Sequence, residues 1–321
     1  MKREKLLYLT ANFFSLPIVF IFSVWLSGLY VGGDQVYYST IYKALPDFGF
    51  LSGLEYYKSV VSSMEPMHFF FSWVFSRFLE KDYFVAFSNV FLAHAALLLC
   101  KKKNVNVAIA VIIVTTNFYF LVMYFAAERL KFGMIFFLYS LCFYEHYKKA
   151  AGFAFLAVLS HVQMFVFYAV MVVGYYVNEI YKALVDKRIS SNVLAVLILG
   201  FGFVFAMHDQ LLKKITVYYA LRDFSEVLKM LLFFAGSLFY AKQRKAVFFI
   251  FLFLILAVFL FGGKRINMVG FFVFLYCSLG FRGGVNLGAF IVLAYFSFAS
   301  LGFVEDIIQH GNGFYDAQLR K

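Results

Sequence analysis

Long uncharged apolar stretches alternate with short polar clusters along the whole chain. The clear stretches are residues 6–33, 83–100, 104–127, 150–178, 189–207, 246–263 and 283–304, with shorter ones at 132–144, 230–241 and 266–281. A helix needs about 20 predominantly apolar residues to cross the hydrocarbon core of a bilayer. The pattern therefore predicts an all-α, polytopic integral membrane protein. The first stretch is too long for a signal-peptide core and has no convincing small-residue cleavage site, so it is expected to stay as the first span.

The polar clusters between the stretches set an orientation. MKREK at the N-terminus, KKK at 101–103, HYKK at 146–149, KALVDKR at 182–188 and KQRK at 242–245 are basic. Basic loops face the cytoplasm. Keeping all five on one side has two consequences. Residues 55–81 become one or two helices lying at, or dipping into, the outer surface. Residues 150–178 must go up and back as two short helices meeting near His161. The count is about eleven spans or half-spans, with the N-terminus inside and the C-terminus outside. On this reading residues 1–321 form one transmembrane domain. Its outer-face loop is 31–82, a second outer loop is 208–224, and a polar tail covers 304–321.

Composition agrees. The chain of 321 residues is 64% hydrophobic and 22% aromatic, with 47 Phe, more than a soluble domain of this size can hide from water. The net charge of +12 is spread over the loop clusters rather than gathered in one basic domain, which argues for a topology signal and against nucleic acid as partner. Cys100, Cys142 and Cys277 lie far apart, in or beside apolar runs, and read as small hydrophobes. There is no phosphate-binding glycine loop ending in Lys-Ser or Lys-Thr, no HExxH and no paired acidic metal motif. Neither cofactor nor metal is expected.

The charges left for the outer face are the informative ones: Asp34, Glu65, His68, Glu128, Arg129, Lys131, Lys213, Lys214, Arg222, Lys264 and Arg265. Ionisable groups in or near a membrane are costly and face a protein interior or a water-filled cavity. This mostly basic set opposes the positive-inside bias, so topology alone does not account for it. Guanidinium and ammonium groups of this kind suit a diphosphate. In YFAAERLKFG, residues 124–133, Glu128, Arg129 and Lys131 share one turn. Arg129 is either an interfacial anchor or an anion ligand, and the cluster around it favours the second. His161 is the one residue of the 150–178 run that can carry a charge near neutral pH. A break at Ser160–His161 turns it toward the outer cavity, where it can bind phosphate or carry a proton; the alternative is a packed, hydrogen-bonded histidine. His94, inside the 83–100 run, is expected to bond a neighbouring helix. Lys213, Lys214, Tyr218, Tyr219 and Arg222 form a basic and aromatic loop that suits sugars and phosphate, or a plain interfacial tyrosine belt.

Four stretches taken together carry a resemblance. YVGGDQVYYSTIY follows the first span, and MEPMHFFFSWVF continues that loop. AAERLKFGMIFFLYS is followed by the histidine of LAVLSHVQMFVFYAVMVV, and GGKRINMVGFFVFLY opens a late span. In order and spacing the chain resembles the EpsG-like branch of the Wzy O-antigen and exopolysaccharide polymerases. It departs from the family where Glu128 precedes Arg129 and Leu130 follows it; the family commonly has a small or polar residue and a glutamine there. The resemblance implies a GT-C-like glycosyltransferase architecture and a site facing the outer leaflet of a bacterial inner membrane. Donor and acceptor would be oligosaccharides on polyprenyl diphosphate, with a chain-length regulator as a further partner. It implies Asp34 or His161 as the base, Arg129 and Arg265 with Lys264 on the diphosphate, and Glu128, Lys131, Glu65, His68 and Arg222 as further substrate-binding residues. Two alternatives stay open, a related ligase or single-sugar transferase and a lipid-linked oligosaccharide flippase. A transporter more often shows internal repeats and midplane charges in broken helices; here no repeat is evident and the charges gather on one side.

Overall fold

A computed structural model describes residues 2–61, 65–186, 224–261 and 263–315, with isolated positions between 190 and 205. Among the described residues every regular element is a helix. The chain divides into two compact units, Met1–Met164 with Arg282–Lys321, and Phe165–Phe281.

The first unit opens with α1 (Lys2–Leu29). Next come the short helices α2 (Gln35–Ala44), α3 (Phe50–Val61) and α4 (Pro66–Phe75). It continues through α5 (Lys81–Lys102), α6 (Val107–Thr115), α7 (Phe118–Phe125), α8 (Glu128–Cys142) and α9 (Tyr147–Ser160). Its last helix closes the described chain and is numbered α15 (Leu287–His310). Among the described residues three segments are long and apolar enough to cross a membrane: Leu6–Leu29, Lys81–Lys102 and Arg282–His310. The pair α6 and α7 makes a fourth if counted as one span bent by 44°. α1 shows how such a helix is used. Val19, Ser23 and Leu26 are buried, while Leu9, Phe13 and Ile21 are 68%, 73% and 68% exposed. A face this apolar would associate in water, whereas lipid chains cover it at no cost. These helices are what membrane residence requires.

The apolar runs map onto these helices with two informative differences. The run 104–127 is two helices, because Asn117 sits in extended backbone and its side chain accepts the Tyr119 N–H, starting α7 afresh. The last run does not stop at 304 but continues as helix to His310, where Gly311 caps it at φ 66°. That cap closes a clasp. The Gly311 carbonyl accepts the N–H groups of Val31 and Gly32 at 3.0 and 2.7 Å, so α15 holds the loop that follows α1. Gly311→Ala places a Cβ in left-handed backbone, 2.9 Å from Val31 Cγ2. It is expected to cost about 1 kcal/mol, read as a lower unfolding temperature of the full chain in detergent.

Residues 35–61 and 65–75 build a small helical cap with its own core of Ile41, Leu45, Tyr57 and Phe69. Its helix α4 packs on α8 and α9. Around it, α5 packs on α1 and α8, and α8 on α9. His94 meets the Tyr139 hydroxyl at 2.9 Å and ties α5 to α8.

The second unit contains α10 (Met164–Tyr175, its first residue in the other unit), α11 (Val177–Val185), α12 (Phe224–Tyr240), α13 (Arg244–Phe261) and α14 (Gly263–Leu279). α12, α13 and α14 pack on one another. Close approach is made by small residues: Gly236 lies against the Phe274 ring and Gly270 against Met230. Buried Glu226 accepts from Asn267 at 2.5 Å and from Lys229 at 2.8 Å. The run 189–207 and the loop 208–224 fall almost wholly outside the described residues, as do residues 316–321 of the tail.

Candidate functional site

Three helix junctions of the first unit converge. α7 ends at Phe125 and α8 begins at Glu128, leaving Ala126 and Ala127 as the joint; both their N–H groups bond the Val122 carbonyl. Glu65 stands just before α4, whose first residue is Pro66. α9 stops at Ser160 and the next helix starts at Met164, so His161 occupies a break in extended backbone. Each junction removes main-chain bonds from the helix ladder and supplies polar groups that need partners.

Those groups find one another. The Glu65 carboxylate is 5% exposed, with Oε2 2.9 Å from Arg129 Nη1 and Oε1 3.5 Å from His161 Nε2. His161 Nδ1 accepts the Gln163 N–H at 3.0 Å, so Nε2 is the protonated nitrogen and points its hydrogen at Glu65. Arg129 Nε donates to the Tyr38 hydroxyl at 2.8 Å. The guanidinium is thereby fixed from two sides by residues of the cap. A carboxylate this buried is tolerated only because a full opposite charge faces it.

A second carboxylate lies on the same helix start. Glu128 is 2% exposed, with Oε1 3.4 Å from Lys81 Nζ and Oε2 3.9 Å from His68 Nε2. His68 Nδ1 is 2.9 Å from the Tyr57 hydroxyl, and its ring lies 5.6 Å from the Tyr38 ring. Tyr38 and His68 therefore join the Glu65–Arg129–His161 group to the Glu128–Lys81 pair. Lys81 also bonds Gln35 Oε1 and, at 3.1 Å, Ser39 Oγ. Gln35 in turn donates to the Phe125 carbonyl at 2.5 Å, at the end of α7.

Lys131, one turn on, is wholly buried. Its ammonium donates to Asn89 Oδ1 at 2.8 Å and the Tyr124 carbonyl at 3.2 Å. Asn89 passes the chain on to Ser23 Oγ at 2.9 Å. Lys131 thus braces α8 against α5 and α7 through neutral acceptors.

Of the residues singled out from the sequence, Glu65, His68, Glu128, Arg129 and His161 come together, and Lys131 lies behind them. Asp34 stays exposed at the cap position of α2, without a side-chain cap bond. Arg265, exposed near the start of α14, belongs to the second unit, as does Lys264. Arg222, with Lys213, Lys214, Tyr218 and Tyr219, lies outside the described residues. The structure adds Gln35, Tyr38, Tyr57 and Lys81, which charge and motif reading passed over. A signal for two of them exists: Gln35, Tyr38, Ile41 and Tyr42 are the buried residues of α2 and recur at helical spacing.

Comparison of the chain with family models, with curated proteins and with solved structures finds no match.

Proposed function

We propose that the chain is a membrane polysaccharide polymerase of the Wzy type, with about eleven spans or half-spans in a GT-C-like arrangement. It would act at the outer face of a bacterial inner membrane and transfer a growing chain from polyprenyl diphosphate to a lipid-linked repeat. The observation that carries the reading is the Glu65 carboxylate held between Arg129 and His161. An oriented guanidinium is a ligand for a leaving diphosphate, and a carboxylate paired with an imidazole is a base. Both are needed for one displacement. The acceptor hydroxyl oxygen attacks the anomeric carbon while the bond from that carbon to the diphosphate oxygen breaks. The electron pair leaves with the diphosphate, and the hydroxyl proton passes to the base. Glu65 is the base in this reading: His161 Nδ1 is taken by the Gln163 N–H, so its Nε2–H orients the carboxylate that receives the proton. Arg129 stabilises the charge that develops on the diphosphate, and the resemblance assigns the same task to Arg265 and Lys264. The sugar–diphosphate bond supplies the driving force.

The test is the surface polysaccharide of cells lacking the gene, separated on a gel. The expected result is a ladder that collapses to core carrying a single repeat, restored by the wild-type chain and not by His161→Ala. Loss of the single repeat as well would assign the chain to flipping or ligation instead.

A further inference from the structure

A groove of about 690 Å³ runs beside α15 in the first unit, within the range of cavities that hold a small organic ligand. α15 gives one wall, from Ser297 to Gln309. Its lining positions recur at helical spacing, so they form a single stripe about 18 Å long. Phe22 of α1 and Leu121 of α7 complete the lining, with Thr115 and Thr116 where α6 ends at the Asn117 break. Phe298 and Leu301 stay exposed on the rim, so the groove opens toward lipid.

The two ends of the groove differ. At the Ser297 end the hydroxyls already have partners. Thr115 Oγ1 donates to the Val111 carbonyl, Ser300 Oγ to the Ser297 carbonyl, and the Thr116 and Ser297 hydroxyls meet at 2.8 Å. From there to Glu305, about 12 Å of helix rise, a ligand meets apolar side chains such as Leu301 and Val304. Glu305 is exposed, and Gln309 donates to its Oε1 at 2.9 Å. Half-buried Asp306 follows. These two are the first charges that α15 carries, about 9 Å of rise before the Gly311 clasp. Among the described residues neither has a cation within ion-pair distance, and no basic side chain lines the groove. A carboxylate inside a spanning segment is costly without a partner. The occupant has to bring the cation.

Charge then selects among membrane lipids. A polyprenyl diphosphate would set its negative head against Glu305 and Asp306, which repel it. A phosphatidylglycerol head fails in the same way. A primary ammonium meets a carboxylate in a charge-assisted hydrogen bond and has three N–H groups to give, whereas a fully methylated ammonium has none. We propose that this groove binds one phosphatidylethanolamine, with an acyl chain along Leu301 and Val304 and the ammonium on Glu305. The lining shares no residue with the Glu65–Arg129–His161 group, and the inference holds whether or not the chain is a polymerase.

The test gives the full chain in detergent equal amounts of phosphatidylethanolamine, phosphatidylcholine and phosphatidylglycerol with the same acyl chains, and reads the bound lipid by native mass spectrometry. The wild-type chain is expected to retain one phosphatidylethanolamine about tenfold over each of the others, a difference of about 1.4 kcal/mol. Glu305→Gln should abolish that preference, and because Glu305 is exposed the variant keeps its packing. Leu301→Trp narrows the apolar part of the groove and should lower retention by a similar factor. Equal retention of the three lipids by the wild type overturns the proposal, as does a preference that survives Glu305→Gln. Polyprenyl diphosphate displacing phosphatidylethanolamine from the wild type would give the groove to that lipid instead. A lipid-free dimer would give it to a second copy of the chain; either result overturns the assignment.

Discussion

Arg129→Ala should be among the most damaging single substitutions in this protein. It leaves the Glu65 carboxylate buried, with the His161 imidazole 3.5 Å away as its remaining ion-pair partner among the described residues. Removing one partner of a buried ion pair costs about 3–5 kcal/mol, mostly the penalty of the charge left behind. The unfolding temperature in detergent should fall accordingly. Glu65→Gln with Arg129→Ala removes that charge as well, so the double variant should regain most of the lost stability. If single and double variants are equally unstable, the ion pair is not what holds α4 against α8. The double variant also separates packing from chemistry. On the polymerase reading it folds and still assembles no chain, because Arg129 no longer meets the diphosphate and the Glu65 carboxylate is gone. A folded double variant that gives a full ladder would take Arg129 out of the reaction.

The helices were legible because apolar runs of spanning length are a strong one-dimensional signal, and α1 and α5 follow it closely. Breaks inside a run were legible only where a polar side chain marks them. His161 marks one, and Asn117 marks another that reads in the sequence as an ordinary residue of a continuous run. The site divides in the same way. Charge pointed to Glu65 and to the turn of Glu128, Arg129 and Lys131 separately, but which carboxylate faces which cation depends on how the cap folds over α8, and that is set by Ile41, Leu45, Tyr57 and Phe69. Local order could not supply it. Asp34 and Gln35 show the cost of reading charge before phase. The helix that starts there turns neutral Gln35 inward to Lys81 and Phe125 and leaves charged Asp34 outside.

Lys131 gives the second large effect, and here the choice of replacement decides the outcome. Its side chain is fully buried, and its bonds run to the neutral oxygens of Asn89 and Tyr124. Lys131→Ala removes three of the four stem carbons with the ammonium and leaves a cavity, a loss of about 2–5 kcal/mol by analogy with other long-to-alanine changes in a core. Lys131→Met keeps the length and removes the buried charge. It gives up two hydrogen bonds, but it also escapes the desolvation of an ammonium, and exchanges of that kind are often neutral or better. Met should therefore be the more stable of the two by about 2 kcal/mol, measured as thermal unfolding in detergent. Adding Asn89→Leu to Lys131→Met should recover more, because the orphaned Asn89 oxygen goes with it. If Met is as damaging as Ala, the ammonium matters more than the volume it fills. The gel then gives the chemical half of the answer. A brace between α8, α5 and α7 survives methionine and the ladder persists, whereas loss of the ladder in a stable Lys131→Met chain would mean that the lysine leaves its pocket to meet substrate.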